Sequence, residues 1–137
     1  MTASRLSASI ALLANAIIGL GGATQAQTEE RHRDALSGQA VLVNNESEWN
    51  SRCQWIGNPS YDFVQNPSHG SISTRQEVKI IKSCQAGGFC ECLGRQITGL
   101  AVYYTSQPGF HGRDALKYTS KFNNGDVLDH NITIEVR

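Results

Sequence analysis

The stretch "YYTSQPGFHGRDALKYTSKF", residues 103–122, decides the fold. In its second half Leu116, Tyr118 and Phe122 alternate with Lys117, Thr119 and Lys121, and Ser120 is the one polar residue in the inward register. A period of two marks a strand with one buried face. The first half is a bend. Pro108 restricts the backbone there, while Gly109 and Gly112 free it. Phe110 is placed to plug the end of a core, and Asp114 to accept backbone N–H groups in a tight turn. Tyr118, at the start of the strand, is expected to return its hydroxyl to the upstream backbone and fix a corner between two sheets. The stretch therefore builds structure and does not perform chemistry.

The same period extends in both directions. In "NITIEVR", Ile132, Ile134 and Val136 fall opposite Asn131, Thr133, Glu135 and Arg137. "NNGD", Asn123 to Asp126, makes the turn between these strands, with Val127 to His130 expected to lengthen it beyond a tight hairpin. Upstream, Val41 and Val43, then Tyr61 and Phe63, then Ile72, Val78 and Ile80, then Leu100, Val102 and Tyr104 define further half-buried strands. "GNPS", "NPSHG", "QAGG" and "PGFHG" punctuate them. Short strands with such turns and no sustained helical period predict an all-β sandwich of about seven antiparallel strands over residues 39–137.

Residues 1–26 carry Arg5, an apolar run "LSASIALLANAIIGLGG" and small residues at Thr24 and Ala26. That order is the pattern of a cleaved secretory signal peptide. Residues 27–38, "QTEERHRDALSG", are charged and end in Ser-Gly, and are expected to be a mobile leader. Of the 12 Lys and Arg only Arg5 lies in the signal, against 12 Asp and Glu, so the exported part has a net charge near minus one. It has no basic face for nucleic acid. It also has no second apolar stretch long enough to span a bilayer. The expected location is the periplasm or the exterior.

All four cysteines, Cys53, Cys84, Cys90 and Cys92, lie in the exported part and are expected to form two disulfides. A Cys90–Cys92 bridge across one residue would be strained. Cys53 therefore pairs with Cys92 or Cys90, and Cys84 takes the other. A thiolate metal site completed by His69 or His111, or a redox-active Cys-x-Cys, is the weaker reading, because zinc ligands usually come as separated pairs. Asp114, Asp126 and Asp129 are the carboxylates that calcium could use, and their first roles are brace and turn. His32, His69, His111 and His130 fall in expected turns or the leader. Asp62, Ser68 and His69 lack the context of a hydrolase triad. No catalytic, metal-binding or cofactor-binding residue is assigned. Trp49, Trp55 and Tyr61 form the richest aromatic segment outside the clear strands, either an edge of the core or a platform for a protein or sugar.

Tyr104, Pro108, Gly109, Phe110, Gly112, Asp114 and Tyr118 together stand at the spacing of a known motif. The run resembles the terminal motif of bacterial immunoglobulin-like, cadherin-like domains: an aromatic, Pro-Gly-Phe, Gly-x-Asp-x-Phe-x-Tyr, and a last strand of alternating Ile, Val and Thr. "NPSHGSI", Asn66 to Ile72, is similar to that family's turn before a strand. The likeness spans residues 61–137; Ser106 and Leu116 depart from it mildly, and "SCQAGGFCECLG" stands outside it. The resemblance implies an immunoglobulin-like, disulfide-braced sandwich that binds a protein or glycan at the cell envelope without catalysis. The alternative is a small accessory or inhibitor that presents the cysteine-stapled loop to a larger envelope protein.

Overall fold

A computed structural model describes residues 26–84 and 89–137; the expected signal peptide falls almost wholly outside the described residues. The strands are β1 (Gln27–Ala35), β2 (Ala40–Glu46), β3 (Glu48–Trp49), β4 (Trp55–Gly57), β5 (Ser60–Gln65), β6 (Gly70–Ile80), β7 (Gln96–Ser106), β8 (Gly112–Lys121) and β9 (Val127–Val136). A 3-10 turn, Cys90–Cys92, lies in the β6–β7 connection. One sheet has the order β1-β9-β8-β5, a second has β2-β7-β6, and β3 pairs with β4 in a short hairpin. Every pairing is antiparallel except β1 with β9. Seven long strands in this order form an all-β, sandwich-like arrangement.

Alternation drives the layers together. Along β9 the even-numbered residues from Leu128 to Val136 are all buried, and Asp114, Leu116, Tyr118 and Ser120 do the same along β8. Their apolar members meet Ala35, Val43, Val102 and Tyr104 in the main core, flanked by Val41, Tyr61, Phe63, Ile72 and Phe110. Each fully buried Leu or Ile side chain contributes about 1.5–3 kcal/mol. A second, smaller core joins Ile81, Cys92 and Ile97 with Trp49 and Cys53. It lies beneath the β3–β4 hairpin.

Three expectations change here. Residues 27–35 are not a mobile leader but strand β1, in continuous parallel register with β9 from Gln27↔Leu128 to Ala35↔Val136. The segment is charged, yet Ala35 is buried and Glu29, Arg31 and Arg33 alternate inward. Hydrogen bonding to the exposed edge of β9 and pairing of those charges replace apolar burial as the reason for order. Arg33 extends this by donating from Nε to the Val43 carbonyl at 3.0 Å, tying β1 to the facing sheet. Residues Val127 to His130 are not a lengthened turn. They open β9, and the turn occupies residues 122–126, closed by Phe122 N–H to the Asp126 carbonyl at 2.9 Å. Val78 and Ile80 share the inward register of Ile72 but stay 67% and 45% exposed on the outer strand of the three-stranded sheet.

Candidate functional site

The bend after β7 is a brace. Asp114, 4% exposed, accepts the N–H of Ser68 and of His69 at 2.9 Å each, the N–H of Ala115 at 2.9 Å and the Tyr104 hydroxyl at 2.9 Å. Burial alone would push this carboxyl's pKa up. The Ser68 and His69 N–H groups, the Tyr104 hydroxyl and the Ala115 N–H outweigh that and hold it below its ordinary value of 3.8. The Tyr104 hydroxyl is pushed up by burial and by its bond to this carboxylate. Phe110 stacks on the His69 ring at 4.2 Å, and the Gly109 N–H donates to Ser37 Oγ at 2.8 Å. Gly109 takes φ +82 and Gly112 φ +133, conformations that favour glycine. Tyr104, Pro108, Gly109, Phe110, Gly112 and Asp114 thus surround one corner.

Tyr118 does not join them. Its hydroxyl accepts from Asn44 Nδ2 at 3.0 Å inside the sandwich, and not from the corner backbone. Its ring packs on Tyr61 and Phe63 and stacks on His130 at 4.4 Å. The reason is position: Tyr118 lies in mid-strand, opposite His130, several residues from the bend. The corner tyrosine is Tyr104.

His130 is likewise not a turn residue. It is fully buried in β9, and its Nε2 lies 2.9 Å from Ser120 Oγ and 3.3 Å from Glu46 Oε1. Ser120 donates to Glu46 Oε2 at 2.5 Å, and His130 Nδ1 stands 3.6 Å from Glu29 Oε2. This polar array links β1, β2, β8 and β9 across both sheets. Ser120 and His130 are both 0% exposed, so neither offers a surface nucleophile or base, and the array serves as an internal tie. Its signal in the sequence was the shared parity of Leu128, His130 and Ile132, together with Ser120 in the inward register. The other Ser-His-Asp combination is not assembled. Ser68 and His69 hold Asp114 by their backbones, while Asp62 pairs with Lys121 at 3.2 Å.

The carboxylates considered for calcium are apart. Asp114 begins β8, whereas Asp126 lies in the turn beyond its far end, and Asp129 accepts the Thr119 hydroxyl at 2.6 Å. Seven residues of strand from Asp114 to Lys121 span about 23 Å. Among the described residues no cluster of three His, Cys, Asp or Glu is placed to hold a metal ion. All four cysteine sulfurs are committed to bridges, Cys53–Cys92 and Cys84–Cys90.

The long bridge builds the other end of the sandwich. Cys53, at φ +62 in the tip of the β3–β4 hairpin, is bonded to Cys92 in the β6–β7 connection. Trp49 Nε1 donates to the Phe89 carbonyl at 3.5 Å, and Glu48 accepts Asn123 N–H at 2.9 Å and Asn123 Nδ2 at 2.6 Å. The hairpin, the β6–β7 connection and the β8–β9 turn are therefore fastened together. Trp55, Ile56, Phe89 and Leu93 remain exposed there at 46%, 57%, 37% and 48%. A cleft of 1420 Å³ adjoins them, lined by Trp49, Ile56, Ile80, Phe89 and Val127 among others, with Lys79, Lys82, Glu48 and Asp126 supplying charge.

The three rings expected to share a platform divide. Trp49 pairs with Trp55 across the hairpin but is half-buried on the small core, while Trp55 is exposed. Tyr61 belongs to the main core, its hydroxyl donating to the Leu100 carbonyl at 2.7 Å. Ile56, Phe89 and Leu93 complete the exposed surface and have no sequence signal, because Ile56 lies in a strand of three residues and Phe89 and Leu93 flank a 3-10 turn, too short to show a period.

No family model and no curated protein matches the chain. A solved structure of the 2,6-sialyltransferase of Photobacterium sp. JT-ISH-224, with CMP and lactose, aligns at 13% identity and a TM-score of 0.34. The alignment covers 82% of this chain and 18% of that one, and a likeness this slight carries no argument about fold or function. What the molecule itself establishes is an all-β, disulfide-braced sandwich with no helix among the described residues long and apolar enough to cross a membrane.

Proposed function

We propose that this chain is an exported binding module of the bacterial immunoglobulin-like, cadherin-like type, without catalytic activity, that engages a protein partner at the cell envelope. Its binding end is the one where the β3–β4 hairpin, the β6–β7 connection and the β8–β9 turn meet. One observation carries the reading: apolar side chains, Trp55, Ile56, Phe89 and Leu93, are left in solvent on segments that the Cys53–Cys92 disulfide joins. Exposed apolar groups clustered beside a cleft mark an interaction surface. A covalent cross-link between two such segments lowers the entropy lost on binding. The corresponding end of immunoglobulin variable domains carries the antigen-binding loops, an analogy of fold that supports the choice without deciding it. Two disulfides agree with an oxidising compartment.

The test is site-specific photocrosslinking in cells that export the full chain. A crosslinker at Ile56 or Phe89 should give a discrete adduct, and one at Lys117, on the exposed face of β8, should not. The Trp55→Ser/Ile56→Ser variant should lose the adduct while remaining folded. Equal labelling from Lys117, or an adduct that survives both substitutions, refutes the assignment. Binding on a glycan array that depends on Trp55 would instead identify a sugar as the ligand.

A further inference from the structure

Of the four edge strands β1, β2, β5 and β6, β1 turns the charges of Glu29, Arg31 and Arg33 inward. β2 and β5 each carry a register break, between Leu42 and Asn44 and between Phe63 and Gln65. β6 pairs with β7 through eleven consecutive positions without a break, contains no proline, and among the described residues has no strand on its other side. β6 lacks bulges, prolines and inward-pointing charges, and its remaining protection is the outward charge of Arg75, Glu77 and Lys79, which a partner strand must match. Its odd-numbered residues, including Arg75, Glu77 and Lys79, lie on the outer face with Tyr103. Its even-numbered residues, Ile72, Thr74, Gln76, Val78 and Ile80, lie on the inner face, where Val78 and Ile80 are uncovered.

Two-fold antiparallel registers that overlap most of β6 include those centred on Arg75, Gln76 and Glu77; a Val78 centre also pairs Glu77 with Lys79 but leaves only residues 76–80 in the ladder. Centring on Arg75 sets that cation against its own copy. A Glu77 centre opposes two carboxylates and puts Arg75 against Lys79. The Gln76 centre pairs Arg75 with Glu77 twice, Thr74 with Val78 twice, and Ile72 with Ile80 twice. Opposite charges and apolar pairs directly across a ladder stabilise it, and like charges destabilise it. We propose that β6 is a self-association edge, and that a second copy of this chain adds to it in the register centred on Gln76. The result is one continuous six-stranded sheet in a two-fold dimer. Val78 and Ile80 of this edge also line the cleft beside the loop end, so dimerisation is read by sedimentation and not by the crosslinking that tests the proposed binding function.

Sedimentation equilibrium of the full exported chain across the micromolar range tests it. Arg75→Glu and Glu77→Arg, each replacing two attractive pairs by two repulsive ones, should raise the dimer dissociation constant about ten-fold or more. The combined Arg75→Glu/Glu77→Arg variant restores both pairs and should recover dimerisation. The swap also restores the Arg75–Glu77 pair within each chain, 3.1 Å in the wild type, so a mixture of the two single variants, whose heterodimer restores the pairs between chains only, separates dimer contacts from damage to β6. Glu77 also accepts the Tyr103 hydroxyl at 2.9 Å, so Arg75→Glu, at a side chain 64% exposed, is the decisive single change, with circular dichroism as the control for folding. A monomeric wild type throughout the range, a folded Arg75→Glu variant that dimerises as tightly as wild type, or a swap that fails to rescue overturns the proposal.

Discussion

Replacing Asp114 by Ala should be the most damaging single polar truncation in this domain. The carboxylate accepts the N–H groups of Ser68, His69 and Ala115 and the Tyr104 hydroxyl. A hydrogen bond to a charged group contributes about 1.5–3 kcal/mol net, and a buried donor left alone costs about 1–3 kcal/mol. The Ser68 and His69 N–H groups belong to exposed residues and regain water, which offsets part of their loss. The Tyr104 hydroxyl belongs to a residue with 0% exposure and does not. The total comes to about 3–5 kcal/mol, a large share of the 5–15 kcal/mol typical of a domain. Asp114→Asn keeps the shape and one acceptor oxygen but turns an NH₂ toward donors, and should cost about 2–3 kcal/mol.

The pH dependence gives the sharper check. The folded carboxyl is held below its ordinary 3.8, so its contribution is fully present above about pH 4. Below that the unfolded chain takes up the proton first, and the advantage shrinks until the folded carboxyl is protonated too. Urea unfolding of wild type and Asp114→Asn under non-reducing conditions should therefore show a gap that is constant near neutrality and narrows in acid. A gap below about 1 kcal/mol at neutral pH, or one that widens as the pH falls through 3.8, would refute the brace.

Tyr118→Phe should cost about 1–2 kcal/mol in the same assay, because Asn44 Nδ2 loses its acceptor in a buried site; an unchanged midpoint would show that water or a neighbour replaces it. Removing the Cys53–Cys92 bridge, which closes a separation of 39 residues, should cost about 4 kcal/mol by chain entropy, against about 2 kcal/mol for Cys84–Cys90 with its separation of 6. The reverse order would mean that the β6–β7 connection and not the hairpin dominates. Gly70→Ala should destabilise by about 1–3 kcal/mol, since its Cβ would stand 2.5 Å from Tyr104 Cε2 and 2.6 Å from the Thr105 carbonyl oxygen. Thermal unfolding that matches wild type would mean that the backbone yields more easily than a packed sheet should.

Periodicity, punctuation and cysteine count are local properties, and they sufficed for the strands around Val43, Tyr61, Ile72, Val102, Leu116 and Ile134, for the exclusion of a Cys90–Cys92 bridge, and for Asp114 as an acceptor of turn N–H groups. They did not choose between Cys90 and Cys92 as the partner of Cys53, because both residues satisfy the same spacing; Cys92 is chosen by burial in the small core beside Ile81 and Ile97. Nor could they show that a charged segment, residues 27–35, would be drawn into a sheet, since its order comes from the open edge of β9, about a hundred residues later in the chain. The meeting of Glu29, Glu46, Ser120 and His130, the turn of Tyr118 toward Asn44, and the exposure of Val78 and Ile80 depend on which strands face each other and how far each extends. Alternation tells a residue which side of its own strand it occupies; only the packing of one layer on another decides what, if anything, is waiting on that side.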